Sequence, residues 1–262
     1  MSKRFGFLTW NLIFPPKCIN CGELLDIELT ERVSDPFCPK CRLHFERAKN
    51  DECERCGLEM KFCRCMPQAM SKVQCTSLLK LMGYKNRDNS MPLRRFVYSM
   101  KRTSLKARNS FVAEQMRALL IPEMRAYGLL PEDCVISYLP RSRKNKALYG
   151  LDQSLILAKS LSKITGIRLV PCFRRKLFTT EQKNLNKYER ILNMRSAYEL
   201  RDLGDSIKDK TVILVDDVVT TGASMAACAR LAYSANAYAV MGICFGKYDI
   251  ILIYFRKGNG YV

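Results

Sequence analysis

The stretch from Thr211 to Ser224, TVILVDDVVTTGAS, restricts the fold more than any other part of the chain. Thr211 to Val215 is apolar without alternation, the pattern of a strand covered on both faces. Two carboxylates, Asp216 and Asp217, stand at its end. A short loop of hydroxyls and glycine follows, and Ala223 to Tyr233 reads as a helix. Comparable segments recur along the chain. Val73 to Tyr84 reads as one or two strands, Met91 to Met100 and Leu105 to Leu120 as helices, and Cys134 to Leu139 as a buried strand. Leu151 to Ile164 reads as a helix, and Ile167 to Phe173 and Ala237 to Phe245 as strands. Strand, helix and strand joined at these lengths imply parallel pairing. The expected class is therefore α/β, a doubly wound and mostly parallel sheet.

The hydroxyl-rich loop has a chemistry of its own. Thr220, Thr221 and Ser224 bring hydroxyls, the start of a helix brings backbone N–H groups and the positive end of its dipole, and all converge on one point. Gly222 lets the backbone approach an anion closely. A phosphate monoester is the natural occupant. Asp216 and Asp217 lie beside it at the carboxyl edge of the sheet, where ligands of open α/β folds bind. There they can accept hydrogen bonds from sugar hydroxyls or hold Mg2+ through water.

Thirteen cysteines are spread unevenly, with eight between residues 18 and 65. Cys18-x2-Cys21 and Cys38-x2-Cys41 have the spacing of a zinc ribbon, in which each pair sits on a tight turn and turns both thiolates to one ion. Cys53-x2-Cys56 and Cys63-x-Cys65 follow. These either hold a second Zn2+ or interleave with the first pairs around two ions. In either arrangement the metal is expected to be structural, stapling a segment too short to build its own core. The expected division is residues 1–72 as an N-terminal helix with a zinc-ribbon-like module, and 73–262 as the α/β domain. Lys3 and Arg4 followed by FGFLTWNLIF resemble a signal peptide, but no small-residue cleavage site follows, so an amphipathic helix is expected. That points to a reducing, cytoplasmic setting in which paired cysteines bind metal. No apolar run approaches the ~18 residues of a membrane span.

Charge and histidine content narrow the chemistry. His44 is the single histidine, which argues against a two-histidine metalloprotease or a Ser/His/Asp hydrolase. Lys and Arg number 44 against 25 Asp and Glu, a net charge of +19. Arg141 to Arg195 carries fourteen basic and three acidic residues, and Arg94 to Arg108 six basic and none acidic, so two stretches hold 17 of the 19 charges. Arg141, Ser142, Arg143 and Lys144 follow a strand end and suit a diphosphate. The polar basic segment Arg174 to Arg195 reads as a functional loop able to close over a site. One small substrate needs fewer cations than this. Single-stranded DNA is a fitting polyanion, with Tyr138, Tyr149, Phe173, Phe178 and Tyr188 among the charges, though each of these aromatics is also a candidate for the core.

The run LVDDVVTTGAS resembles the phosphoribosyl pyrophosphate (PRPP) signature of type I phosphoribosyltransferases. That resemblance implies ribose and Mg2+ contacts for Asp216 and Asp217, and a 5′-phosphate cradle made by Thr220, Thr221, Gly222, Ala223 and Ser224. With cysteine pairs ahead of such a domain, the chain resembles the ComF family of competence-associated, phosphoribosyltransferase-like proteins. Further motifs carry the resemblance: Leu139-Pro140, Tyr149-Gly150-Leu151-Asp152-Gln153, Gln182 with Leu185, and Arg190 with Asn193. It departs at Tyr149 and Asp152, where the family has arginine and asparagine. The resemblance implies PRPP with Mg2+ as ligand, a pyrophosphate loop at 141–144, a flexible loop carrying Gln182 and Arg190, and single-stranded DNA as partner. It also implies a role in DNA uptake, with a helicase or recombination proteins as further partners. If transfer occurs, the acceptor is open. A nucleobase phosphoribosyltransferase of salvage and a non-catalytic PRPP sensor are the alternatives.

Overall fold

The computed structural model describes residues 15–25, 36–84, 96, 106–141, 150–176, 197–202 and 205–248 of the 262-residue chain. The helix expected at 1–14, the loop at 177–195 and the tail from 249 lie outside these residues, as does the expected helix at 91–100 apart from the buried, helical Phe96.

Chain order within the described residues is α1 (Pro39–Lys49), α2 (Gln68–Ser71), β1 (Ser77–Tyr84), α3 (Lys106–Ala126), β2 (Cys134–Tyr138), α4 (Gln153–Thr165), β3 (Arg168–Leu169), β4 (Phe173–Arg175), β5 (Tyr198–Leu200), β6 (Thr211–Val219), α5 (Ala223–Ser234) and β7 (Ala239–Tyr248). Five strands form one sheet in the order β1-β7-β6-β2-β3, and every pair in it is parallel. This is the expected doubly wound α/β class.

Alternation along β6 divides the core between two faces. Ile213 and Val215 face a cluster built with α1, α3 and α4, while Val212 and Leu214 face one built with α2 and α5. The first cluster also takes in Cys18, Cys38, Cys41, Phe37 and Phe45. Phe45 packs on Phe37, Phe96 and Phe111 with ring centroids 5.0, 6.4 and 5.2 Å away. The cysteine-rich segment thus shares an aromatic core with the body of the chain.

Three elements differ from the sequence expectation, each for a local reason. Ile167 to Phe173 does not form one strand. Pro171 has no N–H to give a ladder, so β3 ends at Leu169, and Phe173–Arg175 pairs antiparallel with Tyr198–Leu200 in a separate ribbon. Arg174 and Arg175 are accordingly strand residues and not part of a loop. Helix α3 continues past Leu120 and through Pro122 to Ala126. The carbonyl that Pro122 leaves without an intrahelical donor belongs to Ala118, an exposed residue that water can reach, while Met124 beyond it is buried. Strand β6 runs on to Val219, which places Asp216 and Asp217 within the strand, still paired to β7 through Asp216 and Cys244.

Among the described residues no helix is long and apolar enough to cross a membrane. Because Phe45 is 2% exposed and ringed by three aromatics, Phe45→Ala is expected to destabilise the protein by about 3–5 kcal/mol. Urea denaturation followed by circular dichroism measures this.

Candidate functional site

The sheet order defines one place where strand progression reverses. From β2 the chain moves outward to β3; from β6 it moves the other way to β7. Between β2 and β6 lies the topological switch point, and the crevice beyond their carboxyl ends is the ligand position for an open α/β sheet. Arg141 leaves the end of β2 on one side, and Asp216 to Val219 complete β6 on the other.

Beyond Val219 the backbone turns through Thr220 and Thr221 to Gly222, whose φ of +70° puts it in the left-handed region at the N-cap of α5. The Gly222 carbonyl accepts the first helical bond, from the Ala226 N–H at 2.8 Å. No carboxylate occupies the first turn of α5, so its dipole is not offset there by an acid of its own. A surface recess is lined by Asp216 and residues 218–225. The helix start, the loop hydroxyls and one of the two acids therefore share one concavity, the arrangement an anionic sugar phosphate requires.

The two acids have different surroundings. Asp217 forms an ion pair with Arg141, Nη2 to Oδ2 at 2.6 Å, with side chains 12% and 13% exposed. Its other oxygen accepts the Val218 N–H at 2.8 Å. Asp216 accepts at Oδ1 from the Ser154 hydroxyl at 2.8 Å and from the Asp217 N–H at 2.9 Å. Desolvation, followed by the like charge of Asp217, pushes the Asp216 carboxyl well above the usual range despite these two bonds. Asp152 heads α4 and accepts the Arg141 backbone N–H at 3.3 Å, which ties the strand end after β2 to the helix carrying Ser154.

On the opposite side stands Tyr198 of the β4–β5 ribbon. Burial pushes its hydroxyl up, and hydrogen bonding to Ser224 acts in the other direction. The Arg175 guanidinium lies 5.3 Å from the Tyr198 ring centroid, with Nη1 3.4 Å from its hydroxyl. Sequence reading did not single out Ser154 or Tyr198. For Ser154 the signal available was a hydroxyl at the start of a helix after a strand end; Tyr198 has none, since the ribbon that positions it forms only by tertiary pairing.

The eight paired cysteines form two centres, in chain order and without interleaving: Cys18, Cys21, Cys38 and Cys41, and Cys53, Cys56, Cys63 and Cys65. Within each, the Sγ atoms lie within 4.8 Å of one another. Zn–S bonds of about 2.3 Å in a tetrahedron set sulfur separations of about 3.8 Å. Cys21 and Cys38 are 3.7 Å apart and Cys56 and Cys63 3.6 Å, so both donor sets fit Zn2+. Burial acts to raise the Cys18 thiol, but hydrogen bonds from the Cys21, Cys38 and Asn20 N–H groups outweigh it and bring it down to about 7. Burial and neighbouring thiols instead push Cys38 up to about 11, Cys65 up to about 12 and Cys41 up as well, so it is a bound cation that would favour their thiolate forms. The five unpaired cysteines are buried, and desolvation raises their thiols, Cys75 and Cys134 to about 11 and Cys244 to about 12. They are unreactive core residues.

Of the residues singled out from the sequence, the structure gathers Asp216, Asp217, Thr220, Thr221, Gly222, Ala223, Ser224 and Arg141 around the switch point. Ser142, Arg143, Lys144, Gln182 and Arg190 lie outside the described residues. Among the interspersed aromatics, Tyr138 and Phe173 belong to the core at 6% and 1% exposure, because both lie on strands packed beneath helices, and neither offers a face to a base. Tyr149, Phe178 and Tyr188 are outside the described residues.

No protein-family model matches the chain. It is 27% identical over 216 residues to the DNA utilization protein YhgH of Escherichia coli O6:H1, a pairing that covers 78% of this chain and 88% of that protein. The likeness agrees with the ComF resemblance carried by the motifs. Among solved structures, a purine phosphoribosyltransferase from Pyrococcus horikoshii Ot3 superposes with a TM-score of 0.33 at 19% identity, over 53% of this chain and 82% of that one. A hypoxanthine phosphoribosyltransferase from Staphylococcus aureus gives 0.29 at 14%, over 54% and 72%.

A neutral Asp216 has a stability signature. With its native pKa raised, the folded state holds a proton that the unfolded state releases. The resulting stabilisation is complete below the ordinary carboxyl range and is lost as pH rises toward the native value. Asp216→Asn, which copies the neutral acid, is expected to gain stability over the wild type between pH 5 and pH 8, in Mg2+-free buffer. Urea denaturation at the two pH values measures the difference.

Proposed function

We propose that the protein is a ComF-like member of the phosphoribosyltransferase group that binds PRPP with Mg2+ at the switch point and single-stranded DNA through its basic stretches, and serves DNA uptake. The observation that carries this reading is the recess bounded by Asp216 and residues 218–225 at the carboxyl end of β6. Its donors suit a phosphate monoester at the start of α5, and Asp216 in its lining, with Asp217 beside it, suits the hydroxyls of the attached ribose.

The remaining roles are assigned to fit this placement and the family resemblance. The N–H groups at the start of α5 and the hydroxyls of Thr220, Thr221 and Ser224 hold the 5′-phosphate. Asp216 and Asp217 receive the ribose, and Arg141 faces the diphosphate, exchanging its contact with Asp217 for one with the ligand. By the family resemblance, Ser142, Arg143 and Lys144 are assigned with Arg141 to the diphosphate, and Gln182 and Arg190 to a flexible loop. Mg2+ keeps several waters and is held by one or two carboxylates together with substrate phosphates. Asp216 and Asp217 are those carboxylates, and the ion supplies charge neutralisation for the diphosphate. Zn2+ at the two cysteine centres is structural, because each set offers four thiolates and leaves no open position. Residues 1–72 and 73–262 then serve as a metal-braced module and a ligand-binding domain.

Support for the DNA role comes from the description of YhgH as a DNA utilization protein and from a net charge of +19, which favours a polyanion. Cytoplasmic placement is supported by the two four-cysteine sets, because paired cysteines at this spacing bind metal more often than they form disulfides where the compartment is reducing.

Two measurements test the reading. Replacing Asp216 and Asp217 together by alanine removes the hydrogen bonds to ribose and is expected to weaken PRPP binding by roughly 100-fold or more in isothermal titration, with single-stranded DNA affinity nearly intact. Equal PRPP affinity in the double variant contradicts the site. The DNA affinity of the wild type is expected to fall steeply with salt, each phosphate contacted adding about −0.7 to the log–log slope. A flat response in an anisotropy titration contradicts the DNA role.

A further inference from the structure

Lys80 sits in the middle of β1, in the sequence LLKLM, and is 1% exposed. A buried ammonium needs partners. Its Nζ lies 3.2 Å from Cys63 Sγ and donates to the Cys65 carbonyl. Four thiolates around Zn2+ carry a net charge of −2, so a lysine placed against them halves the charge and satisfies itself. The strand admits the cysteine segment closely at Gly83 as well. A Cβ there would lie 3.3 Å from Asp51 Cβ and from Met60 Cε. The second centre is therefore anchored to the sheet at two points along β1.

From this anchor the chain reaches the phosphate loop within two residues. The Met66 carbonyl is held by Arg55 Nη1 at 3.0 Å. Pro67 comes next and starts the single turn of α2. A Cβ on Gly222 would stand 2.9 Å from Cβ and Cγ of Pro67 and 3.0 Å from Cγ of Met70, a fully buried residue. Nothing but the absent side chain of Gly222 separates the loop from the segment leaving Cys65. The first centre is packed differently: Cys18, Cys38 and Cys41 belong to the core on the α3–α4 face, whereas Met70 belongs to the α5 face together with Met225 and Ala226.

We infer that the second cysteine centre is the support of the anion site: metal held by Cys53, Cys56, Cys63 and Cys65, with Lys80 as positioning residue, fixes Pro67 and Met70 beneath Gly222 and so sets the order and affinity of the loop at residues 220–225. The inference rests on the reading of that loop as a phosphate-ester site. It makes metal occupancy at one centre a control on ligand binding at another place, with the intervening contacts named.

The test compares four full-length proteins in metal-replete form: wild type, Cys63→Ser with Cys65→Ser, Cys38→Ser with Cys41→Ser, and Pro67→Gly. Zinc content, circular dichroism, amide exchange of the peptide spanning residues 218–226 without ligand, and PRPP affinity with Mg2+ are measured for each. The second-centre variant is expected to lose one zinc equivalent, exchange the loop amides at least tenfold faster and bind PRPP at least tenfold more weakly. The first-centre variant, which also loses one equivalent, is expected to show a markedly smaller change in loop exchange. Pro67→Gly is expected to keep both zinc equivalents and still speed exchange in the loop. If the second-centre variant does not fold, Pro67→Gly decides on its own. Wild-type exchange rates in the loop of a folded second-centre variant, or in Pro67→Gly, overturn the inference. Failure of the wild type to bind PRPP would instead overturn the functional reading, and the exchange comparison without ligand would still report on the coupling.

Discussion

The rest of the structure depends on a close approach between two stretches of chain that are far apart in sequence. Gly222 occupies a left-handed conformation at the start of α5, and the space its side chain would fill is taken by Pro67 and Met70. An L-residue at 222 would be strained in its backbone and would collide with the segment that leaves the second cysteine centre. The form of the loop at residues 220–225, the seating of α2 on α5 and the docking of the cysteine segment on the sheet are thus one packing solution. The thiolate centres suit it because a short segment with few apolar residues cannot hold such a contact by burial alone.

Electrostatics at the switch point follows from the same crowding. Two carboxylates in adjacent positions cannot both stay charged at low cost when one of them is desolvated. The structure answers with asymmetry. Asp217 is ion-paired with Arg141, while Asp216 is set between the Ser154 hydroxyl and the Asp217 amide, and desolvation biases it toward its neutral form. An anionic ligand entering beside this pair meets one cation already paired and a helix start with no acid of its own.

Much of this was legible in the sequence, because the signals were local. The strand ending in Asp216 and Asp217 and the glycine-containing loop before a helix announce themselves by composition and order, and the CxxC spacing announces thiolate centres. What was not legible depends on contacts between distant residues. Nothing in LLKLM says that Lys80 points at Cys63, since a lysine within an apolar run reads equally well as an exposed edge residue. Ile167 to Phe173 looks like one strand until Pro171 is asked for a ladder bond. The exposed position of Ala118, which lets α3 continue through Pro122, is a property of the folded helix alone. The arrangement of eight cysteines into two consecutive centres needed the fold, because spacing permits interleaving as well.

The central claim, that the loop of residues 220–225 and the acids before it form a PRPP site, is tested most directly by a crystal structure of the metal-replete protein with PRPP and Mg2+. The account predicts the 5′-phosphate against the backbone N–H groups at the start of α5, the ribose hydroxyls at Asp216 and Asp217, and Arg141 released from Asp217 toward the diphosphate. PRPP bound elsewhere, or bound with the Arg141–Asp217 pair intact and the recess vacant, would contradict it.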